Sequence, residues 1–225
     1  MIVVIEHQAD AGLDLLADWL AGHELRIVRP YLGEAVPAEP DAGLIVLGGA
    51  VDAYADTAAP WLPDVRKLLA TAVEQEVPTL GVCLGAQLLA VACGGAVDVG
   101  APAGTEAGVV EVQWNSAAAD DPLCAGLPAP FPSLSMHSDA VARLPADAVL
   151  LGSTAQYPNQ AFRVGAAAWG VQFHPEVSLS TFTGWTQHFA VEVPTSVVTA
   201  AAQCMPSVVA AGELLAGRFA ALVST

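Results

Sequence analysis

Pro78-Thr79-Leu80-Gly81-Val82-Cys83-Leu84-Gly85-Ala86-Gln87-Leu88-Leu89-Ala90 is the stretch on which the reading of this chain turns. The residues before Cys83 suit a buried strand. Leu84, Leu88, Leu89 and Ala92 then follow at helical spacing, and the pattern stops at Gly94-Gly95, where a left-handed cap is cheap. A strand that turns straight into a helix exposes its corner residue at the carboxyl edge of a sheet. The close approach of helix and strand leaves room only for small neighbours, here Gly81 and Gly85. This is a nucleophile elbow written with cysteine. It sets Cys83 at a helix N-terminus, where unpaired N–H groups and the helix dipole favour a thiolate. Cys93, Cys124 and Cys204 have no such frame and read as small apolar residues.

Outward from the elbow, strands and helices alternate. Ile2–Ile5 is a strand, Ala11–Ala21 a helix with Leu13, Leu16, Trp19 and Leu20 on one face, and Leu25–Val28 a second strand. Leu44–Leu47 is a buried run ending in Gly48-Gly49-Ala50, and Trp61–Glu74 is a helix carrying Leu62, Val65, Leu68, Leu69 and Val73. The alternation predicts an α/β fold, a doubly wound, mostly parallel sheet with helices on both faces and function at the strand carboxyl ends. From Val97 to Trp114 the pattern predicts a hairpin excursion, and Ser133–Met136, Ala148–Leu151, Ala161–Val164 and Trp169–Phe173 are further strands. No linker or repeat interrupts residues 1–225, which read as a single domain.

Composition narrows the function. A hydrophobic share of 54% against 13% charged residues excludes disorder. Seven basic against 23 acidic residues give a formal charge of −16, and Lys67 is the only lysine, so nucleic acid and anionic membrane are excluded as partners. The four cysteines show no metal-binding spacing, and an elbow thiol needs a reducing compartment. The chain opens as a strand with no basic leader. Pro194, Gln203, Pro206, Glu213 and Arg218 interrupt the apolar tail from Val193 to Val223, which reads as Ala-rich helices on the core rather than a membrane span. A cytoplasmic protein is expected.

Ala168-Trp169-Gly170-Val171-Gln172-Phe173-His174-Pro175-Glu176 is the second informative stretch. Trp169, Val171 and Phe173 alternate onto one face, and Gln172, His174 and Glu176 onto the other. The i, i+2 spacing puts an imidazole and a carboxylate on one side of a strand end, with Pro175 restricting the backbone between them. The carboxylate then holds the tautomer while the other ring nitrogen faces a thiol.

Gly-Val-Cys-Leu-Gly-Ala-Gln at 81–87, the glycine pair at 48–49 and Gln-Phe-His-Pro-Glu-Val at 172–177 together resemble the class I (triad) glutamine amidotransferase family. The likeness runs from Leu44 to Trp185 and is greatest to the stand-alone branch related to the amidotransferase domain of GMP synthase. Met136-His137-Ser138-Asp139 and Pro158–Arg163 stand where that branch has similar segments. The resemblance implies a flavodoxin-like sheet, Cys83 as nucleophile, His174 as base and then acid, and Glu176 as the orienting carboxylate. It implies an oxyanion hole from the backbone N–H groups of Gly49 and Leu84. It also implies contact of Gln87 and of Met136, His137, Ser138 and Asp139 with substrate glutamine, the latter four largely through backbone. No metal and no organic cofactor is implied. Two residues depart from the pattern: Ala50 replaces the proline usual after the glycine pair, which predicts a less rigid oxyanion loop, and Val109 replaces a tryptophan usual beyond Glu106-x-Gly108.

The expected chemistry is attack of Cys83 on the γ-carboxamide of glutamine, release of ammonia and hydrolysis of the γ-glutamyl thioester. No phosphate-binding loop or synthetase module is present in the sequence. The ammonia acceptor is therefore expected on another chain, a synthetase subunit. A stand-alone hydrolase of other γ-glutamyl compounds is the alternative, and a non-catalytic binding module a third that the intact Cys, His and Glu disfavour.

Overall fold

The computed structural model describes residues 1–188 and 193–224. In chain order the strands are β1 Ile2–Ile5, β2 Leu25–Val28, β3 Gly43–Val46, β4 Thr79–Val82, β5 Ala96–Asp98 and β6 Glu106–Trp114. They continue with β7 Phe131–His137, β8 Ala140–Arg143, β9 Val149–Ser153, β10 Ala161–Val164 and β11 Ala168–Val171. The helices are α1 Leu15–Trp19, α2 Leu62–Glu74, α3 Leu84–Ala92, α4 Leu179–His188 and α5 Thr195–Val223.

Among the described residues, nine strands form one sheet in the order β2-β1-β3-β4-β11-β10-β9-β6-β7. The first five are mutually parallel, and each later neighbour is antiparallel to the one before. β9 and β7 therefore run the same way as the parallel half. The elbow strand β4 lies between β3 and β11, so Gly48-Gly49, Cys83 and the Gln172–Glu176 segment all emerge from adjacent strands at one edge.

Strand residues alternate between two cores. Ile2, Val4, Ile45, Leu80, Val82, Trp169 and Val171 face α5, which contributes Ala211, Leu215, Ala216 and Phe219. Val3, Ile5, Leu44, Val46 and Phe162 face α2 and α3. A smaller cluster joins Leu134 and Met136 of β7 to Phe182 and Trp185 of α4 and Val208 of α5.

Three expectations are corrected. Residues 97–114 do not form a hairpin: β5 pairs with β8, while β6 pairs with β7 and β9. The helix expected over Ala11–Ala21 shrinks to α1, since Asp14 takes φ 44 before it and the segment from 20 to 23 closes in turns. The tail is one helix rather than several. Pro206 lacks the N–H of one helical bond, yet α5 runs for 29 residues because its buried face is held against the sheet and α4. By length and composition α5 is long and apolar enough to cross a membrane. Leu215, Ala216 and Phe219 on it have no exposed surface, being packed in the chain's own core.

Candidate active site

Cys83 is the N-cap of α3 and takes φ 52 and ψ −105. Few non-glycine residues adopt such a backbone. Two glycines make it sterically possible. A Cβ on Gly81 would stand 2.6 Å from the Gly85 carbonyl, and one on Gly85 would stand 1.9 Å from the Val46 carbonyl oxygen. Helix α3 thus begins in contact with β3 and β4, and Cys83 is buried but for its edge on the cavities.

His174 reaches the thiol from the strand next door. Its N–H donates to the Leu134 carbonyl at 2.7 Å, which ties the end of β11 to β7. Its Nδ1 donates to Glu176 Oε1 at 2.7 Å, and both side chains are buried. The ring packs edge-on against Trp185, centroids 4.8 Å apart, and Trp185 Nε1 donates to the Asp10 carbonyl. Burial lowers the imidazole pKa. The Glu176 charge and the charge and hydrogen bond of Cys83 outweigh it and raise the pKa to about 10. Glu176 is anchored through its carbonyl, which accepts from Leu15 N–H.

Gly49 follows β3 beside the elbow. A Cβ there would meet both His7 Cβ and Leu84 Cδ2 at 2.9 Å. Leu84 is the first residue of α3, so its N–H has no intrahelical partner. Gln87 is buried, and its Nε2 donates to the Asp139 carbonyl and to Gln172 Oε1. Cys83, Gln87 and the Met136–Asp139 segment border one cavity of about 130 Å³. A second cavity, of about 110 Å³, opens on the other side of Cys83 toward Gln8, Asp10, His174 and Trp185. Gly49, Ala50, Cys83 and Met136 border both.

The structure therefore brings Cys83, His174 and Glu176 together and gathers the remaining expected residues around them. The expected contact of the Met136–Asp139 segment is largely through backbone, and the His137 side chain is bonded instead to Glu106 Oε2 at 3.1 Å and to the Asp139 carbonyl. Glu106 also accepts from Ser135, Thr154 and Gln160. Burial raises the Glu106 pKa, but bonds from His137 and Thr154 and the His137 charge win, so the carboxyl lies below its usual range.

Sequence reasoning missed Gln172, whose Nε2 donates to Cys83 Sγ at 3.5 Å. Alternation placed it on the His174 side, and that signal sufficed to nominate it. Glu106 stands out only as part of the Glu106-x-Gly108 pattern, with nothing to mark its partners, and Gln8 carries no signal because Ala50 lies far along the chain. Of the other thiols, Cys93 and Cys204 are half-buried and Cys124 is buried. Burial first, then Glu74, raises the Cys93 pKa; burial, then Asp121, raises that of Cys124.

A strand-to-helix cysteine facing a buried imidazole–carboxylate pair now meets independent comparisons. Residues 21–193 match the model of the family described as glutamine amidotransferase class-I. A GMP synthase [glutamine-hydrolyzing] of Thermosipho africanus is 34% identical over 142 residues, 63% of this chain and 25% of that protein. The chain spans about a quarter of the length of such curated relatives. Among solved structures, a glutamine amidotransferase from Thermotoga maritima superposes with TM-score 0.85 at 26% identity, covering 100% of this chain and 98% of the other. One from Methylobacillus flagellatus gives 0.85 at 26%, covering 97% and 93%. With the family model covering most of its length and the fold agreeing throughout, the chain belongs to the class I glutamine amidotransferase family.

Proposed function

We propose that this chain hydrolyses the side-chain amide of glutamine through Cys83, His174 and Glu176 and releases ammonia for an acceptor on another chain. The observation that carries this reading is the geometry at Cys83: a thiol at a helix N-terminus that borders the same cavity as an imidazole held in register by a buried carboxylate. With its pKa raised to about 10, His174 holds the proton shared with the thiol at neutral pH. Cys83 Sγ attacks the γ-carbonyl carbon, and the oxygen gains negative charge beside the N–H groups of Gly49 and Leu84. As the carbon–nitrogen bond breaks, His174 gives its proton to departing ammonia. The neutral imidazole then takes a proton from the water that cleaves the γ-glutamyl thioester, leaving glutamate and the restored pair. Gln87 and the backbone of residues 136–139 border the cavity that fits the amino-acid end. Residues 1–225 act as one domain in this reading, without a metal or organic cofactor.

That the curated relatives are GMP synthases supports a synthetase as the ammonia acceptor. The reading sets the protein in the cytoplasm, where the thiol stays reduced. It includes no nucleic acid or membrane partner, in keeping with the formal charge of −16. One observation favours a second reading, hydrolysis of larger γ-glutamyl amides: the cavity on the His174 side has room beyond ammonia.

The test is labelling and turnover together. A glutamine-like electrophile is expected to modify Cys83 alone among the four cysteines, and Cys83→Ser to lose most ammonia release. Modification of Cys93 or Cys124 with Cys83 untouched overturns the reading. Turnover of γ-glutamyl dipeptides exceeding that of glutamine promotes the second.

A further inference from the structure

Ala50 occupies the position after the glycine pair, and the sequence alone predicts a slack loop there. The structure shows another restraint. Alanine has the backbone N–H that proline lacks, and Ala50 N–H donates to Gln8 Oε1 at 2.7 Å. Gln8 Nε2 in turn donates to Asp10 Oδ1 at 2.7 Å, so both ends of the Gln8 amide are occupied and its orientation is set.

This bond falls at a telling place. The last sheet-like bond before the loop is Leu47 N–H to the Ile5 carbonyl at 3.0 Å. Between that anchor and Ala50 stand only Gly48 and Gly49, the residues whose backbone turns most freely. Below the turn, His7 and Leu84 pack so closely that Gly49 has no room for a Cβ. Gln8 closes the remaining side from the loop after β1. It also borders the cavity shared by Cys83 and His174, yet it makes no bond to either. Its influence therefore passes through the backbone.

We infer that Gln8 is a positioning residue: through Ala50 it holds the Gly48-Gly49 turn so that Gly49 N–H faces the developing oxyanion, with Asp10 fixing the Gln8 amide. The inference rests on the oxyanion role of Gly49 proposed above. An amide displaced from that position loses most of its value to the transition state and little of its value to bound substrate, because the charge exists only in the transition state.

The experiment is a double-mutant cycle on the full chain with glutamine as substrate. Gln8→Leu is expected to lower kcat about 10- to 100-fold with KM within about twofold, short of the roughly 10²–10³-fold that outright loss of an oxyanion donor costs. In an Ala50→Pro background, which has no N–H to hold, Gln8→Leu is expected to change kcat less than about twofold. Gln8→Glu combined with Asp10→Asn keeps an acceptor for Ala50 and a bond between the two side chains, and is expected to restore kcat. Equal losses in both backgrounds, or a change in KM alone, overturn the inference. Amide hydrogen exchange gives a readout independent of substrate: Gln8→Leu should speed exchange at Ala50 and alter it at Gly49, and unchanged rates at both overturn the inference whatever the activity. Labelling of Cys83 by the glutamine-like electrophile separates the two claims. If wild-type protein fails to label, the catalytic reading fails, while the exchange data still decide whether Gln8 holds the turn.

Discussion

Gly212 of α5 packs directly on Pro175, the residue between His174 and Glu176: a Cβ at Gly212 would stand 2.4 Å from the Pro175 carbonyl oxygen and 2.8 Å from the Trp19 ring. The C-terminal helix therefore supports the imidazole–carboxylate pair from behind. Gly212→Ala is expected to lower stability by about 1–3 kcal/mol, the usual range for overpacking a close contact. It should also reduce kcat, because the obstructing atom is backbone and the 174–176 segment must shift. Thermal melts and steady-state kinetics check this. Gly217→Ala, on the same helix with nothing within 4 Å of its Cβ position among the described residues, is the control and should raise stability by about 0.5–1 kcal/mol through helix propensity while leaving kcat unchanged.

Glu176 and Cys83 raise the His174 pKa against the effect of burial, to about 10. A histidine whose folded pKa exceeds its unfolded value of about 6.5 contributes stability that is fully present below pH about 6.5. That contribution is lost as pH rises through about 10. Activity should hold through the neutral range and fall on approach to pH 10, as the shared proton leaves. Glu176→Gln should move the alkaline fall to lower pH. His174→Ala should cost roughly 10²–10⁴-fold in kcat/KM, and Glu176→Ala less, since it orients the ring and stabilises the imidazolium but moves no proton itself. A pH–rate profile of each variant checks the order, and negligible effects from both would assign the proton transfers elsewhere.

His7 shows the opposite shift. Burial lowers its pKa from 6.5 to about 4, Nδ1 accepts from Trp61 Nε1 at 3.0 Å, and Nε2 has no partner among the described residues. The folded state resists protonation here. The stability found above pH about 6.5 should decline as pH falls toward 4, by on the order of 3 kcal/mol at about 1.36 kcal/mol per pKa unit. His7→Gln should flatten that acid limb in urea unfolding measured across pH. An unchanged limb would show that other groups set it.

Glu106 gathers Ser135, His137, Thr154 and Gln160 around one buried carboxylate. Removing it strands several polar groups, each costing about 1–3 kcal/mol when left buried and unpaired. Glu106→Ala is therefore expected to destabilise the fold by about 3–5 kcal/mol, as breaking a buried charge pair does. Glu106→Gln should be milder and should raise KM for glutamine, because His137 anchors the Met136–Asp139 segment. Denaturant unfolding and Michaelis curves for the two variants decide it.

The parts of this protein that its sequence settles are those whose causes are local. Gly81, Cys83 and Gly85 specify the elbow because the close approach of α3 to β4 excludes any Cβ there, and the spacing of apolar residues announces the helix that follows. His174 and Glu176 share a side because a strand repeats every two residues. The alternation of β1 through α3 shows a doubly wound half with its working edge at the strand ends. Tertiary structure settles the rest. β6 passes over β5 to pair with β7 and β9, and no periodicity within residues 96–114 marks that choice. The Leu134 carbonyl holds His174, Glu106 holds His137, Gln172 reaches the thiol, and Gln8 holds Ala50. The tail reads as several Ala-rich helices, and packing against α4 and the sheet keeps it one helix through Pro206. These contacts join segments 31 to 89 residues apart wherever side chains make them. A chain pattern records which face a residue takes, but strand order alone determines which distant residue it meets there.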